Sequence, residues 1–553
     1  MAFKNRSFDD ASTVLDIRDL TVRLLDRPEA APILDRISLS IRSGETACLV
    51  GESGSGKSVT SLAVMGLLPK EALAATGGTI DMEGQNLLKL GAQKMRELRA
   101  SRISMIFQEP MTALNPVMRV GDQIEEVLDT HAKFSAQEKK RRVIDIMNQV
   151  HLPDVERIYR SYPHQLSGGQ RQRIMIAMAI ILEPQLLIAD EPTTALDVTT
   201  QKQILSLIAE LQEKHGTAVL FITHDMGVVA EIADTVHVMH HGEIVEQAPV
   251  GELLRTPRKD YTKRLLKAVP SLVPQPARPD EKRGEALVVE GLEKIYGGQG
   301  FLVKRESTLA ATNVSFSIPR GRTLGIVGES GSGKSTVARC ILRLIDPTEG
   351  EVRVANTEIA RLSRRALRPH RRHIQIVFQD PFRSLNPRWT IGESLIEGPL
   401  NTGEDRTKAM KRAQELLSLV GLPEDAVSRY PHQFSGGQRQ RIAIARAIAM
   451  EPDVLVADEA VSALDVSVQA QVLKLLADLQ KKLGIALLFI THDLRVAAQI
   501  CDEVIVMQHG RVVEHDTAAN VLSNPQHAYT RALIEAAPGR NWDFANFCEL
   551  PAA

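Results

Sequence analysis

Short runs of apolar, mostly β-branched residues alternate along this chain with stretches of helical periodicity. The alternation predicts a parallel sheet covered by helices on both faces. One run, Thr46–Val50, leads into a glycine-rich loop; another, Leu186–Ala189, ends in two acidic residues; a third, Ala218–Thr223, ends in His-Asp. We therefore expect all three polar segments at the carboxyl ends of parallel strands, where open α/β sheets bind ligands.

The whole pattern occurs twice. Matching runs at Thr323–Val327, Val454–Ala457 and Ile485–Thr491 precede the same three kinds of polar segment. The number of positions between matching residues of the two copies decreases slightly from Lys57 and Lys334 to Ser167 and Ser435, and it is constant from there onwards. This indicates two homologous copies that differ by small insertions before the serine. The sequence predicts one domain at 13–269, a proline-rich linker at 270–285, a second domain at 286–537, and a tail at 538–553 without a clear assignment.

Composition narrows the class of protein. The 553 residues carry a formal net charge of −1 and only 4% aromatic residues, which gives no support to a nucleic-acid-binding surface. The longest apolar run, Ile174–Leu182, is far shorter than the roughly 20 residues that span a bilayer, and the start of the sequence shows no apolar signal segment. The four cysteines are far apart, so we expect reduced thiols and no metal site.

The stretch GESGSGKS occurs at 51–58 and again at 328–335, and it fits the Walker A phosphate-loop pattern G-x-x-x-x-G-K-[ST]. In such a loop, backbone N–H groups surround phosphate oxygens at a helix N-terminus, where the helix dipole favours anions. We expect the two lysines to reach the β- and γ-phosphates and the two serines that follow them to ligate Mg²⁺. Two occurrences, each after a buried strand, exclude a chance match. The predicted phosphate-binding residues are Gly51, Glu52, Ser53, Gly54, Ser55, Gly56, Lys57 and Ser58, and Gly328, Glu329, Ser330, Gly331, Ser332, Gly333, Lys334 and Ser335.

The acidic pairs supply a second group of candidates. Asp190 and Asp458 are expected to hold Mg²⁺, and Glu191 and Glu459 to polarise the attacking water. By itself, an apolar strand that ends in two acids fits an ordinary helix cap equally well. The phosphate loop upstream favours the metal-binding and catalytic assignment.

The segments LSGGQ and FSGGQ at 166–170 and 434–438 each precede a predicted helix. Their serines are predicted N-caps, and the glycines leave the helix N-terminus open to an anion. A capped helix with a glycine turn explains a serine, but not two nearly identical pentapeptides at the same distance before a predicted catalytic glutamate. The residues expected to contact nucleotide are Ser167, Gly168, Gly169 and Gln170, and Ser435, Gly436, Gly437 and Gln438.

The order of phosphate loop, SGGQ segment, acidic pair and histidine resembles ATP-binding cassette (ABC) ATPases, twice and over nearly the whole chain. The resemblance implies two α/β P-loop NTPase domains, each with a RecA-like core, an antiparallel β subdomain and a helical subdomain. The helical subdomains would lie at about 110–166 and 381–434. In ABC transporters a groove in this subdomain receives a helix of the membrane-spanning partner subunit, the permease. A plain helical insertion is the alternative for these segments.

The resemblance also implies individual roles. The glutamines that follow β-strands in MIFQEP and IVFQDP would sense the γ-phosphate and ligate the metal, the histidines would contact the γ-phosphate, and two aspartates would belong to the loop after the acidic pair. The tyrosine near the start of the second copy would stack on adenine, whereas the first copy has Leu24 there. These residues are Gln108 and Gln379, His224 and His492, Asp197 and Asp465, and Tyr296.

The resemblance explains the duplication. In this family two ATP molecules lie between two cassettes arranged head to tail. Lys57 would then face 435–438, and Lys334 would face 167–170. Both copies keep every catalytic residue type, so two hydrolytic sites are expected. Ala460 replaces the proline of the first copy's acidic segment, a change that affects loop stiffness rather than chemistry.

Finer details resemble the ATPases of dipeptide, oligopeptide, glutathione and nickel importers, including FQEPMTALNP, YPHQLSGGQ and the tail motifs DYTKRLL at 260–266 and AYTRALI at 528–534. This implies ATP and Mg²⁺ as ligands, and two integral-membrane permease subunits with a periplasmic or lipid-anchored solute-binding protein as partners. It implies that the chain has no nucleic-acid partner and that it lies on the cytoplasmic face of the bacterial inner membrane as a peripheral subunit. Only Cys548 lies near either tail, so we expect no iron–sulfur cluster.

Two other classes of tandem-cassette ATPase are alternatives to an importer. Ribosome-associated translation factors join their cassettes by a long, charged helical linker, whereas this linker is short and rich in proline. DNA-repair ATPases would carry zinc-type cysteine pairs, which this sequence lacks. The importer interpretation is favoured, with its direction taken from the resemblance. The resemblance implies that other subunits select the cargo.

Overall fold

The computed structural model describes residues 8, 11–108, 113–131, 133–194, 196–276, 278–279, 284–297, 308–462 and 464–550. The chain divides into two compact units. The first comprises 1–196, 200–269 and 541–553, and the second comprises 197–199 and 270–540. The domain limits given above stay predictions. Parts of the predicted segments lie outside the described residues, namely Pro110 at the start of the first helical subdomain, linker residues 277 and 280–283, and tail residues 551–553.

Apart from a short C-terminal hairpin, the described residues of the first unit form two sheets. A four-stranded antiparallel sheet has the order β2-β1-β4-β5, and a six-stranded sheet has the order β10-β9-β3-β8-β7-β6. In the larger sheet only β10 is antiparallel to its neighbour. The strands are β1 (Thr13–Leu24), β2 (Leu34–Arg42), β3 (Thr46–Val50), β4 (Leu73–Met82), β5 (Gln85–Asn86), β6 (Ile103–Ile106), β7 (Leu186–Asp190), β8 (Ala218–Thr223), β9 (Thr235–His240) and β10 (Glu243–Pro249).

Helices flank these sheets. Those at 120–159 form a helical layer from the segment predicted as the helical subdomain, and the remainder pack near the large sheet or follow its last strand. The helices are α1 (Lys57–Val64), α2 (Ala92–Leu98), α3 (Val120–His131), α4 (Ala136–Gln149), α5 (Val155–Tyr159), α6 (Gly168–Ile180), α7 (Val198–His215), α8 (Met226–Ile232), α9 (Val250–Arg255) and α10 (Asp260–Lys267).

The second unit repeats this architecture. Its antiparallel sheet has the order β12-β11-β14-β15, and its large sheet has the order β16-β17-β18-β13-β19-β20. The strands are β11 (Glu285–Tyr296), β12 (Thr308–Pro319), β13 (Thr323–Val327), β14 (Glu349–Val354), β15 (Thr357–Glu358), β16 (Ile374–Val377), β17 (Val454–Asp458), β18 (Ala486–Thr491), β19 (Glu503–Gln508) and β20 (Arg511–Thr517). The helices are α11 (Lys334–Ile341), α12 (Arg364–Leu367), α13 (Pro381–Ser384), α14 (Ile391–Asn401), α15 (Arg406–Leu419), α16 (Gly436–Ile448), α17 (Val466–Leu483), α18 (Leu494–Ile500), α19 (Ala518–Ser523) and α20 (Ala528–Ala536).

The predicted α/β fold is confirmed in both copies. Strands β3, β7 and β8 are fully buried, as their continuous apolar sequence predicts, and they pair in parallel. All three polar segments therefore follow the same edge of one sheet. In the described part of the chain, no helix has both the length and the apolar character that a membrane span requires.

The linker packs against the second unit. The backbone N–H of Gln275 donates to the carbonyl of Ala498 at 3.1 Å, and Leu272 packs on the hydrophobic core. The guanidinium of Arg278 binds the carboxylate of Asp502, with Nε 2.6 Å from Oδ1. Residues 270–276, 278–279 and 284 thus form neither helix nor strand, whereas Glu285 already begins the first strand of the second unit. The linker is nevertheless anchored.

The tail, unassigned from sequence, forms a short hairpin of β21 (Trp542–Asp543) and β22 (Cys548–Glu549) that belongs to the first unit. The guanidinium of Arg255, at the end of α9, lies 5.9 Å from the Trp542 ring centre and 2.5 Å from a carboxylate oxygen of Glu549. Lys267, at the end of α10, lies over the ring of Phe547. Ring and charge contacts therefore fix the hairpin to the last two helices of this unit.

One pair of neighbouring residues in the second unit differs in side-chain size from the matching pair in the first unit. Gly325 on β13 corresponds to Cys48 on β3, and Cys501 after α18 corresponds to Ala233 after α8. A Cβ atom on Gly325 would lie 2.7 Å from Cys501 Sγ. We expect Gly325→Cys to destabilise the second unit by about 1–3 kcal/mol through overpacking.

Adding Cys501→Ala should recover most of that loss, because the double variant reproduces the residue pair of the first copy. Denaturant unfolding of the full chain under reducing conditions measures the free energy of unfolding of the single and the double variant. A single variant as stable as the wild type, or a double variant as unstable as the single, would contradict this packing account.

Candidate functional site

The phosphate loop of the first unit joins β3 to α1. Gly56 at the N-cap of α1 has φ of 107°, a left-handed conformation that glycine adopts readily. The side chain of Lys57 is buried, and its Nζ donates to the carbonyl oxygens of Gly51 and Glu52 at 2.9 Å each. The ammonium group is therefore held inside the curve of the loop, beside the N-terminus of α1.

The loop of the second unit has the same geometry. Nζ of Lys334 donates to the carbonyl oxygens of Gly328 and Glu329 at 2.7 Å each. Burial lowers the pKa of Lys334, and the nearby carboxylate of Glu459 opposes that shift. A Cβ on Gly328 would lie 2.3 Å from the carbonyl oxygen of Met507, so this backbone approach requires glycine.

In each unit, a serine hydroxyl at the start of the helix after the loop faces the aspartate that ends another strand of the large sheet. Ser58 Oγ is 3.4 Å from Oδ1 of Asp190, and Ser335 Oγ is 3.5 Å from Oδ1 of Asp458. Burial raises the pKa of Asp190 to about 6 and also raises that of Asp458. A nearby cation would favour the charged form of these carboxylates. Paired oxygen donors of this kind fit Mg²⁺.

The predicted catalytic glutamate of the first unit is the centre of a hydrogen-bond cluster. Nε2 of Gln108 donates to Oε2 of Glu191 at 3.0 Å, and Nδ1 of His224 lies 3.2 Å from Oε1. Oγ1 of Thr194 also donates to Oε2 at 3.0 Å. Burial raises the pKa of Glu191, but the bonds from His224 and Thr194 outweigh it and lower the pKa to about 2. Glu191 is therefore fully ionised at neutral pH.

The second unit repeats this cluster. Nε2 of Gln379 donates to Oε2 of Glu459 at 2.9 Å, and Nδ1 of His492 lies 3.4 Å from Oε1. Burial opposes ionisation of Glu459, yet the bond from His492 lowers its pKa overall. Burial likewise disfavours the charged imidazole, but Glu459 raises the pKa of His492 overall.

The backbone of each glutamate is unusual. Glu191 has φ of 46° and Glu459 has φ of 48°. Both values lie in the left-handed region, which residues other than glycine seldom adopt. The N–H of Glu191 donates to the carbonyl of Ile222 on β8 at 2.9 Å, which fixes this conformation. The proline-to-alanine difference after the glutamate, at Ala460, leaves this geometry unchanged.

The SGGQ segments begin α6 and α16, and the predicted serine N-caps are confirmed. Ser167 Oγ accepts from the N–H of Gln170 at 3.3 Å, while the Gln170 side chain accepts from the N–H of Ser167 at 3.1 Å. The second segment forms the same reciprocal cap. A Cβ on Gly169 would lie 2.8 Å from Cγ2 of Thr200, so the helix that begins here packs too closely for a larger residue.

The other predicted contacts lie around the loops. Tyr296 ends β11 with its side chain 40% exposed, and Lys294 Nζ lies 5.3 Å from its ring centre. Leu24 ends β1 in the same way. Asp465 precedes α17 as its N-cap residue, and Asp197 accepts a hydrogen bond from Thr199 at the start of α7.

Two tyrosines in contact with the phosphate loops were not predicted as site residues. The hydroxyl of Tyr261 accepts from the N–H of Glu52 at 3.2 Å, and that of Tyr529 accepts from the N–H of Glu329 at 3.0 Å. The sequence feature that could have predicted them is their matching position in the two tail motifs, DYTKRLL and AYTRALI. These motifs indicated only the family.

Comparison with protein families agrees with this geometry. A model for the ABC transporter family matches residues 34–194 and 311–462. A second model, for the C-terminal region of oligopeptide/dipeptide transporters, matches 245–301 and 513–543. Each copy thus carries a cassette followed by the same C-terminal segment.

Individual relatives cover almost the whole chain. The glutathione import ATP-binding protein GsiA of Salmonella choleraesuis is 45% identical over 96% of this chain and 90% of its own. That of Pectobacterium atrosepticum is 45% identical over 95% of this chain and 89% of its own. A solved structure of archaeal ribosome recycling factor aABCE1 with ribosomal stalk protein aP1 shares the fold, with a TM-score of 0.60 over 89% of this chain and 88% of that one, at 21% identity.

Both cassettes combine a phosphate loop with an acidic pair, whose glutamate is ionised, at one edge of a parallel sheet. The ABC transporter family model matches in both cassettes, and relatives match along nearly the whole chain. The protein is an ATPase and belongs to the ABC transporter ATP-binding proteins of the dipeptide, oligopeptide and glutathione importer family, with two cassettes in one chain.

Proposed function

We propose that this chain is the motor subunit of an importer for dipeptides, oligopeptides, glutathione or a similar small solute. The observation that carries the proposal is 45% identity to glutathione import ATP-binding proteins along nearly the whole chain. The oligopeptide/dipeptide C-terminal region, present in both copies, supports the same solute class.

The motor acts through partners in this proposal. Two integral-membrane permease subunits receive the movement, and a periplasmic or lipid-anchored binding protein delivers the solute. The chain works at the cytoplasmic face of the inner membrane. Two ATP molecules are bound head to tail, each between the phosphate loop of one cassette and the SGGQ segment of the other, and their binding and hydrolysis close and reopen the pair.

The residues of each cassette divide the chemistry. Lys57 and the loop N–H groups bind the β- and γ-phosphates, while Ser58 and Asp190 hold Mg²⁺, with Gln108 as a further ligand. Bound Mg²⁺ neutralises developing phosphate charge. Glu191 orients the attacking water and accepts its proton.

The low pKa of Glu191 has a consequence for this mechanism. The hydrogen bond from His224 is the largest cause that lowers the pKa of the carboxylate, and it weakens the carboxylate as a base. If His224 turns towards the γ-phosphate when ATP binds, the carboxylate loses this partner and becomes more basic. The cluster then restrains hydrolysis until the nucleotide is in place.

A ribosomal role is the alternative function. The likeness to aABCE1 is at 21% identity and shows the fold alone. The described part of the linker is a short segment without helix that packs on the second unit. No observation therefore favours the ribosomal role over transport.

We expect Glu191→Gln with Glu459→Gln to lower the rate of ATP hydrolysis by about 10²–10⁴-fold, the range for loss of a general base. Equilibrium ATP binding should stay within twofold, since the loops and lysines are unchanged. Steady-state hydrolysis and nucleotide titration of the purified chain measure the two quantities. Hydrolysis that persists at the wild-type rate would remove both glutamates from the mechanism.

The head-to-tail arrangement is tested by combining changes in two ways. Glu191→Gln with Ser435→Arg affects one composite site, so its hydrolysis should equal that of Glu191→Gln alone. Glu191→Gln with Ser167→Arg affects both sites and should fall to the level of the double glutamate variant. The reverse ranking would show that each cassette completes its own site.

The transport proposal is tested by capture of partners in the native host. The Glu191→Gln, Glu459→Gln chain is trapped with Mg-ATP and its partners are identified by mass spectrometry. We expect two multi-span permease subunits and a solute-binding protein. Ribosomal proteins without a membrane partner would refute transport and leave only the ATPase.

A further inference from the structure

The C-terminal segment of each copy reaches its own phosphate loop through one tyrosine. Tyr261 is the second residue of α10, and Tyr529 is the second residue of α20. Both lie in the segments matched by the oligopeptide/dipeptide C-terminal model. The same contact thus occurs in both copies.

Each tyrosine completes the restraint of one loop residue. The N–H of Glu52 donates to the Tyr261 hydroxyl, while the carbonyl of the same residue accepts from Lys57 Nζ. Both backbone groups of Glu52 are therefore bonded to side chains, one from within the loop and one from the C-terminal segment of the unit. Glu329 is held in the same way, by Tyr529 and Lys334.

The helix that carries each tyrosine is itself fixed to the large sheet. The buried carboxylate of Glu246 on β10 accepts from the N–H groups of Arg258 and Lys259, at 2.7 and 3.0 Å, just before α10. Glu514 on β20 accepts from two N–H groups before α20 at 2.8 and 3.1 Å. These anchors leave the tyrosine ring little freedom to move away from the loop.

The hydroxyl groups suit this contact. Burial raises the pKa of Tyr529 to about 12, so its hydroxyl stays protonated and neutral, and can accept from the loop N–H. The ring of Tyr261 also packs at 4.0 Å from the imidazole of His240, where the second copy has Gln508. Removal of the hydroxyl alone leaves that ring contact in place.

We propose that Tyr261 and Tyr529 are positioning residues for nucleotide binding, whose hydroxyls order the phosphate loops before the nucleotide arrives. The proposal rests on ATP binding at these loops, as given under the proposed function. It assigns to the C-terminal segment of each copy a part in the nucleotide site itself.

The test uses the full chain with Tyr261→Phe, Tyr529→Phe and both together. We expect the double variant to bind Mg-ADP about fivefold more weakly by calorimetry, the size of effect that loss of a neutral hydrogen bond produces. The KM for ATP should rise by a similar factor while kcat stays within twofold. Each single variant should weaken one of two binding events.

Tyr159→Phe is the matched control. Its hydroxyl donates to Glu125 at 2.5 Å within the helical layer, so the same atom is removed away from the loop and nucleotide affinity should not change. A double phenylalanine variant with unchanged KM and Mg-ADP affinity would overturn the proposal, whether or not its thermal stability falls. A wild-type chain that binds no nucleotide would instead overturn the ATPase function, so the two failures are distinguishable.

Discussion

The parallel pairing of β7, β8 and β3 is the constraint on which the rest of each cassette depends. Because parallel neighbours end at the same edge, the phosphate loop, the acidic pair and the histidine meet there although they lie far apart in sequence. The backbone bond from Glu191 to Ile222 shows how directly the sheet sets the chemistry. A strand of the wrong register or direction would separate the glutamate from its histidine.

The duplication provides an internal comparison, since the two copies have the same fold but different residues at some equivalent positions. The cysteine lies on the strand in the first copy, at Cys48, and after the helix in the second, at Cys501, with Gly325 and Ala233 at the matching positions. The large sheets nevertheless keep the same strand order. Ala460 in place of a proline leaves the strained glutamate backbone unchanged. Core packing and loop stiffness can therefore vary between copies, whereas each predicted catalytic glutamate keeps its glutamine and histidine partners.

Local sequence patterns were enough to predict the strands that carry the site. The limits of β3, β8 and β13 agree with the apolar runs, and β7 is longer only by Asp190. The tyrosine contact could not be predicted in this way, because Tyr261 and Glu52 are 209 positions apart and the bond involves a backbone N–H. The left-handed glutamate backbone was equally hidden, since no residue type signals it there.

A glycine-rich loop needs restraint from elsewhere for a physical reason. Glycine permits the left-handed turns and close approach that phosphate binding requires, but it also leaves the unbound loop with more conformations to lose. Ordering such a loop on binding would weaken affinity, so contacts that order it beforehand strengthen binding. Lys57 supplies such contacts from within the loop itself. Tyr261 supplies one from the far end of the cassette, and this makes the C-terminal segment a structural part of the site rather than an appendage.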